Sequence, residues 1–228
     1  MSRSISVIIP CYNDSSALQS LLANLLPQCT ESDQVIVVDA SDDSNAVHDL
    51  CISYAIQHLR SLPCRGAQLN SGALKTCSDI LWFLHADSQI SSNSMESIRQ
   101  TCEAHAGGYF RFQFSGSQSK LKNGLCQLIN WRSRWGVPYG DQGLFFTRSA
   151  FQTAGGFKEV PLFEEVDLIK AVRRNGTFCQ LPLSIGVNDR KWRKDGWIKR
   201  TILNRILATS HYFGVSEHRL ARLYYRLK

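Results

Sequence analysis

Three short apolar runs, each ending in a polar tip, constrain this chain more than any other feature. "SVIIP" closes on Pro10-Cys11-Tyr12-Asn13, "QVIVVD" on Asp39-Ala40-Ser41-Asp42-Asp43, and "DILWFLHAD" on His85-Ala86-Asp87. Continuous β-branched runs, apolar on both faces, are what parallel strands become when helices cover both sides of a sheet. Helical patterns lie between them. "SSALQSLLANLL" places Leu18, Leu21, Leu22, Leu25 and Leu26 on one face, with Asp14 or Ser15 as its cap. "SNAVHDLCISYAIQH" and "GAQLNSGALKTC" read as two more helices, and a further one covers about 94–105 before the alternating strand "GYFRFQF". This alternation over the first 115 residues predicts an α/β fold with a mainly parallel central sheet flanked by helices.

The second half is more varied. After the loop-like "SGSQSK", the stretch "LKNGLCQLINWRSRWG" reads as a helix with aromatics on one side. "GLFFTRSAF" reads as a strand into a turn, "LFEEVDLIKAVRRNG" as a helix closed by Gly176, and "TFCQLPLSIGV" as a strand. Two basic helices, about 197–213 and 216–227, follow. No internal repeat and no linker between independent domains is visible.

Composition narrows the class. Across 228 residues, 43% are hydrophobic and 20% charged, which excludes a disordered chain. No apolar run approaches the roughly 20 residues that cross a bilayer. The entry into "SISVIIPCYND" is too quickly polar for a secretory signal, so a cytoplasmic location is expected. The cysteines at 11, 29, 51, 64, 77, 102, 126 and 179 form no CxxC pair and no zinc spacing, and are expected to be reduced core thiols. Charge is uneven. From Asn188 to Lys228, eleven Lys/Arg face only Asp189, Asp195 and Glu217, a net of +8, whereas the rest of the chain carries −1 of the total +7. Any positive field therefore comes from the C-terminal segment.

In open parallel sheets ligands bind beyond the carboxyl ends of the strands. An aromatic ring and carboxylates converging there suit a nucleotide, the ring stacking on a base and a carboxylate accepting from a ribose hydroxyl. Asp39 and Asp87 would equally serve to start turns or cap helices. Neither GxGxxG nor GxxxxGK[ST] follows the first strand, which disfavours dinucleotide-binding oxidoreductases and P-loop enzymes. A pyrophosphate would then need basic side chains or a metal ion, and Asp87 suits Mg2+ or Mn2+ as a hard oxygen ligand.

Seven segments in order, "SVIIPCYND", "VIVVDASDD", "RGAQLNSGA", "LWFLHADS", "YGDQGLFFTRSAFQTAGGF", "LFEEVDL" and "RKWRKDGW", resemble the family-2 glycosyltransferases of the GT-A fold. "RGAQLN", "FLHAD" and "GDQG" are similar to the small radical-SAM/selenodomain-associated transferases within that family. The resemblance implies a single domain over 1–228, with a nucleotide-binding half (1–115), an acceptor and catalytic half (116–190) and a basic helical tail (191–228). It implies that Pro10 and Tyr12 line the nucleobase site, that Asp39 binds base or ribose, and that Arg65 and Asn70 line the nucleotide pocket. "HAD" replaces the family's Asp-x-Asp, leaving Asp87 as the metal ligand and His85 either as a ribose or phosphate contact or as a packed imidazole. Glu165 takes the position of the general base, with its neighbour Glu164 as the alternative. Asp141 and Gln142 are expected to touch substrate, and Lys191 with Trp192 to brace the diphosphate or the acceptor.

The activity implied is inverting transfer of a sugar from a nucleotide-diphosphate sugar to an acceptor hydroxyl, assisted by a divalent cation. Implied partners are the donor and an acceptor of lipid-linked type. Peripheral contact with the inner membrane surface through 190–228 is expected as well, and nucleic acid is not. Two readings compete. A nucleotidyltransferase would want a Gly/Lys-rich phosphate loop where this chain has Asn13-Asp14-Ser15-Ser16. A non-enzymatic protein would use the tail alone, on a membrane or on nucleic acid.

Overall fold

A computed structural model describes residues 2–226. Lys228, counted in the basic tail, lies outside the described residues. Seven strands form one sheet: β1 (Ile5–Cys11), β2 (Gln34–Asp39), β3 (Gln57–Arg60), β4 (Ile80–Phe83), β5 (Gly107–Phe114), β6 (Phe145–Thr147) and β7 (Phe178–Val187), in the order β3-β2-β1-β4-β6-β5-β7. The first four are mutually parallel, and β6 runs antiparallel to both β4 and β5. The sheet is therefore mixed but mostly parallel, as the continuous apolar runs predict.

Period-two alternation sends β1 side chains to two separate cores. Ile5, Val7 and Ile9 join a cluster with the leucines of α1 (Ser15–Leu25), with Val47 and Cys51 of α2 (Asn45–Ser53), and with Met95 and Ile98 of α4 (Ser94–Ala104). Ile8 points the other way, toward Leu69 of α3 (Arg65–Leu74), Phe151 of α6 (Arg148–Thr153) and Ile169 of α7 (Val166–Asn175). A third, smaller core packs Phe112 and Phe114 of β5 against α5 (Lys120–Trp135) and Trp192. The chain continues through α8 (Arg190–Asp195), α9 (Trp197–Tyr212) and α10 (Glu217–Arg226).

Several sequence expectations change. The helix expected over "SNAVHDLCISYAIQH" ends at Ser53, because Ala55 turns left-handed (φ 52°), and Gln57–Arg60 pairs with β2 as an edge strand. Asp14 sits at the start of α1 without capping it; its carboxylate faces Arg190 at 3.2 Å instead. The turn after β6 is the short helix α6. All eight cysteines are free thiols, but Cys77 is exposed rather than part of a core.

Candidate active site

The carboxyl ends of β1 and β2 are tied to each other. Asn13, left-handed at φ 52° as asparagine tolerates, donates through Nδ2 to Asp42 at 2.8 Å, and the Asp42 N–H donates back to its Oδ1 at 3.1 Å. The Tyr12 hydroxyl donates to Asp42 at 3.3 Å, which leaves its half-exposed ring at the rim of the sheet. Pro10 lies within β1 opposite Val38. Asp39, the expected base or ribose contact, is held by partners within the chain. Its side chain is wholly buried, accepting from the Ser41 N–H at 2.9 Å and from Arg60 at 2.8 Å, with His58 at 3.4 Å. Burial opposes its charge, but these donors outweigh burial and hold its pKa below the ordinary value.

The end of β4 presents His85 and Asp87. Arg65, Phe83, His85, Gly140, Glu164 and Glu165 line one small pocket. Burial, then the charges of Arg65 and Lys191, push the His85 pKa well below its usual value, so the imidazole is neutral. The Asp87 carboxylate is about a third exposed. Arg190 lies 4.0 Å from it while also pairing with Asp14 at 3.2 Å. Arg190 was not among the expected site residues. Its signal in the sequence is its place at the head of the "RKW" element, directly before Lys191 and Trp192.

Glu164 and Glu165 precede α7, both buried, and they differ in one respect. Arg65 pairs with Glu164 at 3.2 Å, whereas Glu165 makes no ion pair among the described residues. Burial first, and then the neighbouring Glu164, push the Glu165 pKa well above that of an ordinary carboxyl. Burial likewise raises Asp141 to about 6, against the opposing pull of Arg132, Arg65 and Lys191. Two carboxyl groups thus share a site where the charged form is disfavoured, a common signature of reactive positions. Just before them Phe163 holds a left-handed backbone (φ 62°), with its ring between Tyr139 at 5.9 Å and His211 at 4.5 Å. For a bulky residue that conformation costs on the order of 1–3 kcal/mol and persists only where the surroundings impose it.

Two other expected site residues hold the backbone around the site. The Asn70 amide donates to the Phe157 carbonyl at 2.8 Å and accepts from the Phe157 N–H at 2.9 Å, so both of its ends hold the segment leading to Glu164. That segment runs so close to α3 that a Cβ at Gly66 would lie 2.1 Å from the Lys158 carbonyl oxygen, which only glycine permits. Gln142 is buried, accepting from Ser133 Oγ at 2.8 Å and donating to the Phe110 carbonyl at 3.2 Å. These bonds fix the loop that carries Asp141. Trp192 packs, partly buried, against Phe114 of the third core (5.0 Å between ring centres). Lys191 reaches the Tyr224 hydroxyl at 3.4 Å, while its charge is felt at His85 and Asp141.

Among the described residues no three His, Cys, Asp or Glu side chains enclose a metal position. The Asp87 carboxylate, accessible at the end of a buried strand, fits the usual arrangement for Mg2+, in which one or two carboxylates hold the ion and substrate phosphates complete its shell. A groove of about 770 Å3 lies at the opposite ends of the strands, lined by Arg3, Asp79, His105 and Arg148 among others. It holds none of the carboxyl groups with raised pKa.

Solved structures share this arrangement of strands and helices. A mannosyltransferase from Pyrobaculum calidifontis, in complex with GDP-Man and Mn2+, superposes with a TM-score of 0.68 at 16% identity, covering 100% of this chain and 70% of its own. Glucosyl-3-phosphoglycerate synthase from Mycobacterium tuberculosis gives 0.65 at 17% identity, covering 90% and 79%. Both are GT-A glycosyltransferases, and the fold is theirs. In sequence, an "Uncharacterized glycosyltransferase" of Haemophilus influenzae is 29% identical over 101 residues, 43% of this chain. The matched part spans 34% of that relative's length. Residues 6–150, from β1 through the Asp141 loop and into α6, match the model described as "Glycosyl transferase family 2", and the chain belongs to that family.

Proposed function

We propose that this protein transfers a sugar from a nucleotide-diphosphate donor to an acceptor hydroxyl with inversion at the anomeric carbon. The observation that carries this reading is the contrast between Glu164, neutralised by Arg65, and Glu165, buried beside it with no ion pair. Tyr12 offers its exposed ring to the base at the rim of β1. Arg65, Lys191 and Arg190 supply positive charge around the tip of β4, where a diphosphate would lie. A Mg2+ or Mn2+ ion held by Asp87 would stabilise the charge developing on the departing diphosphate. The acceptor hydroxyl attacks from the face opposite the leaving group, and Glu165 takes its proton. One displacement inverts the centre.

The relatives bind donors of this type: GDP-Man for the Pyrobaculum enzyme and UDP-GlcNAc for Staphylococcus aureus TarS, whose fold matches at a TM-score of 0.60 and 15% identity over 82% of this chain. The same reading includes a lipid-linked acceptor and peripheral contact of residues 190–228 with a cytoplasmic membrane surface. Membership of the radical-SAM/selenodomain-associated subgroup rests on "RGAQLN", "FLHAD" and "GDQG" alone. A panel of nucleotide sugars, screened by thermal shift with and without Mn2+ and then by transfer assay, tests the reading. A donor that raises the melting temperature and loses its sugar supports it. A panel that neither binds nor turns over refutes it.

A further inference from the structure

Two helices turn apolar faces outward. On α5 the buried side consists of Lys122, Cys126, Asn130 and Ser133, while Leu121, Leu128, Trp131 and Trp135 project from the other side. At 3.6 residues per turn these four fall on one stripe, and Trp131 and Trp135 are 63% and 81% exposed. On α9, Arg200 and Leu207 face inward, and Ile198, Ile202, Ile206 and the following Phe213 form an outward stripe, with Ile198 73% exposed. Helices of a soluble protein ordinarily put such stripes toward the core.

The charges around the stripes are of one sign. Neither α5 nor α9 contains an Asp or Glu. Lys122 and Arg200 are buried and paired with Asp189 and Asp195. Lys120 and Arg134 on α5, and Lys199 and Arg205 on α9, are exposed and make no ion pair among the described residues. The two helices are bridged near both ends. Lys122 lies over the Trp197 ring at 5.7 Å, and Arg132, Tyr139, Phe163 and His211 stack in a row from the end of α5 to the end of α9. That row adjoins the catalytic carboxyls, since Tyr139 feels the charges of Glu165, Asp141 and Arg205.

We propose that α5 and α9 together form one bilayer-docking face for anionic lipid, with the two exposed tryptophans of α5 seated at the headgroup level. The inference rests on the membrane contact in the proposed function and extends it to α5, which lies outside residues 190–228. An apolar stripe rimmed by Lys and Arg is the pattern of a helix lying in the membrane interface, where Trp is favoured. The positive rim favours anionic lipid and opposes a second copy of the chain, which would bring like charge against like.

The test is co-flotation of the full-length protein with vesicles of phosphatidylcholine alone and of equal parts phosphatidylcholine and phosphatidylglycerol, at low and high salt. Binding is expected only to the anionic vesicles and is lost as salt rises. W131A/W135A is expected to weaken it by about tenfold or more, since two interfacial anchors are removed. Brominated lipid should quench tryptophan fluorescence in the wild type and less in W131F/W135F, because Trp82 is buried and Trp192 and Trp197 are partly buried against the third core. Binding with quenching unchanged in W131F/W135F overturns the role of α5 and leaves the tail contact standing. Absence of wild-type binding overturns both, as does self-association that W131A/W135A abolishes.

Discussion

The loops after β1 and β2 and those around β4, β6 and α7 share one edge of the sheet, yet they treat polar groups in opposite ways. On the first side every functional-looking side chain is answered: Asp39 by Arg60 and Ser41, and Asn13 by Asp42. On the second, Glu165 is buried and Asp141 half-buried, both with raised pKa values, and His85 has its pKa pushed well down. Satisfied networks fix geometry, and under-satisfied groups keep chemical potential for a reaction. On the proposed function, the first side is a platform and the second a reactive wall.

The comparison breaks most visibly at Glu165. Glu165→Gln should lower transfer by about 10²–10⁴-fold without lowering the melting temperature. Glu164→Gln should cost less activity but destabilise, because Arg65 loses its partner. Steady-state assays and thermal melts on the two variants check this, and a reversed order moves the base to Glu164. Asp87→Asn comes next. It should melt like the wild type when unliganded but lose the Mn2+-dependent stabilisation by donor, about 2.7 kcal/mol at a hundredfold excess over Kd. Asn70→Ala, a change among the supports, should destabilise by about 1–3 kcal/mol in urea, since the Phe157 N–H and carbonyl lose their partner.

The smallest effect is in pH dependence, where the two sides have opposite signs. The Asp141 pKa rises on folding from 3.8 to about 6, so the stability it lends is full below 3.8 and is lost as pH climbs through about 6. Asp39 is depressed from 3.8, so its contribution is present above 3.8 and is lost as pH falls through the lowered value. Asp141→Asn should flatten the decline between pH 3.8 and about 6, and Asp39→Asn the loss in acid below 3.8, both read from melting temperature against pH. Equal slopes in both variants would erase the distinction between platform and wall.

The sheet was legible because "SVIIP", "QVIVVD" and "ILWF" carry their burial in their composition, with no polar face to confuse the period. β3 was missed because "QHLR" is a half-exposed edge strand with few apolar residues, and because the helix before it stops at an alanine that no propensity marks as a terminator. Within the site, the residue types were readable but their partners were not. Asn70 and Phe157 are 87 positions apart, and Ser133 decides whether Gln142 faces inward. Glu165 differs from Glu164 only because Arg65, 99 residues before Glu164, reaches one carboxylate and leaves the other without an ion pair. Such distinctions arise from tertiary approach and leave no local trace.

The strand order also bears on how the protein is made. Residues 5–83 complete a four-stranded parallel half, β3-β2-β1-β4, with every crossover inside that span. A ribosome that has delivered β4 has therefore delivered a sheet that α1 and α2 cover on one face, while the other face still awaits α6 and α7. The rest cannot join in order of synthesis, because β5 attaches only through β6, which emerges some thirty residues later and offers just three residues to β4 and two pairings to β5. In the interval the β4 edge stands open, with Leu81 and Trp82 awaiting partners. A nascent chain stalled before Phe145 would present that edge to its neighbours, making the few residues of β6 the point at which folding outruns aggregation or fails to.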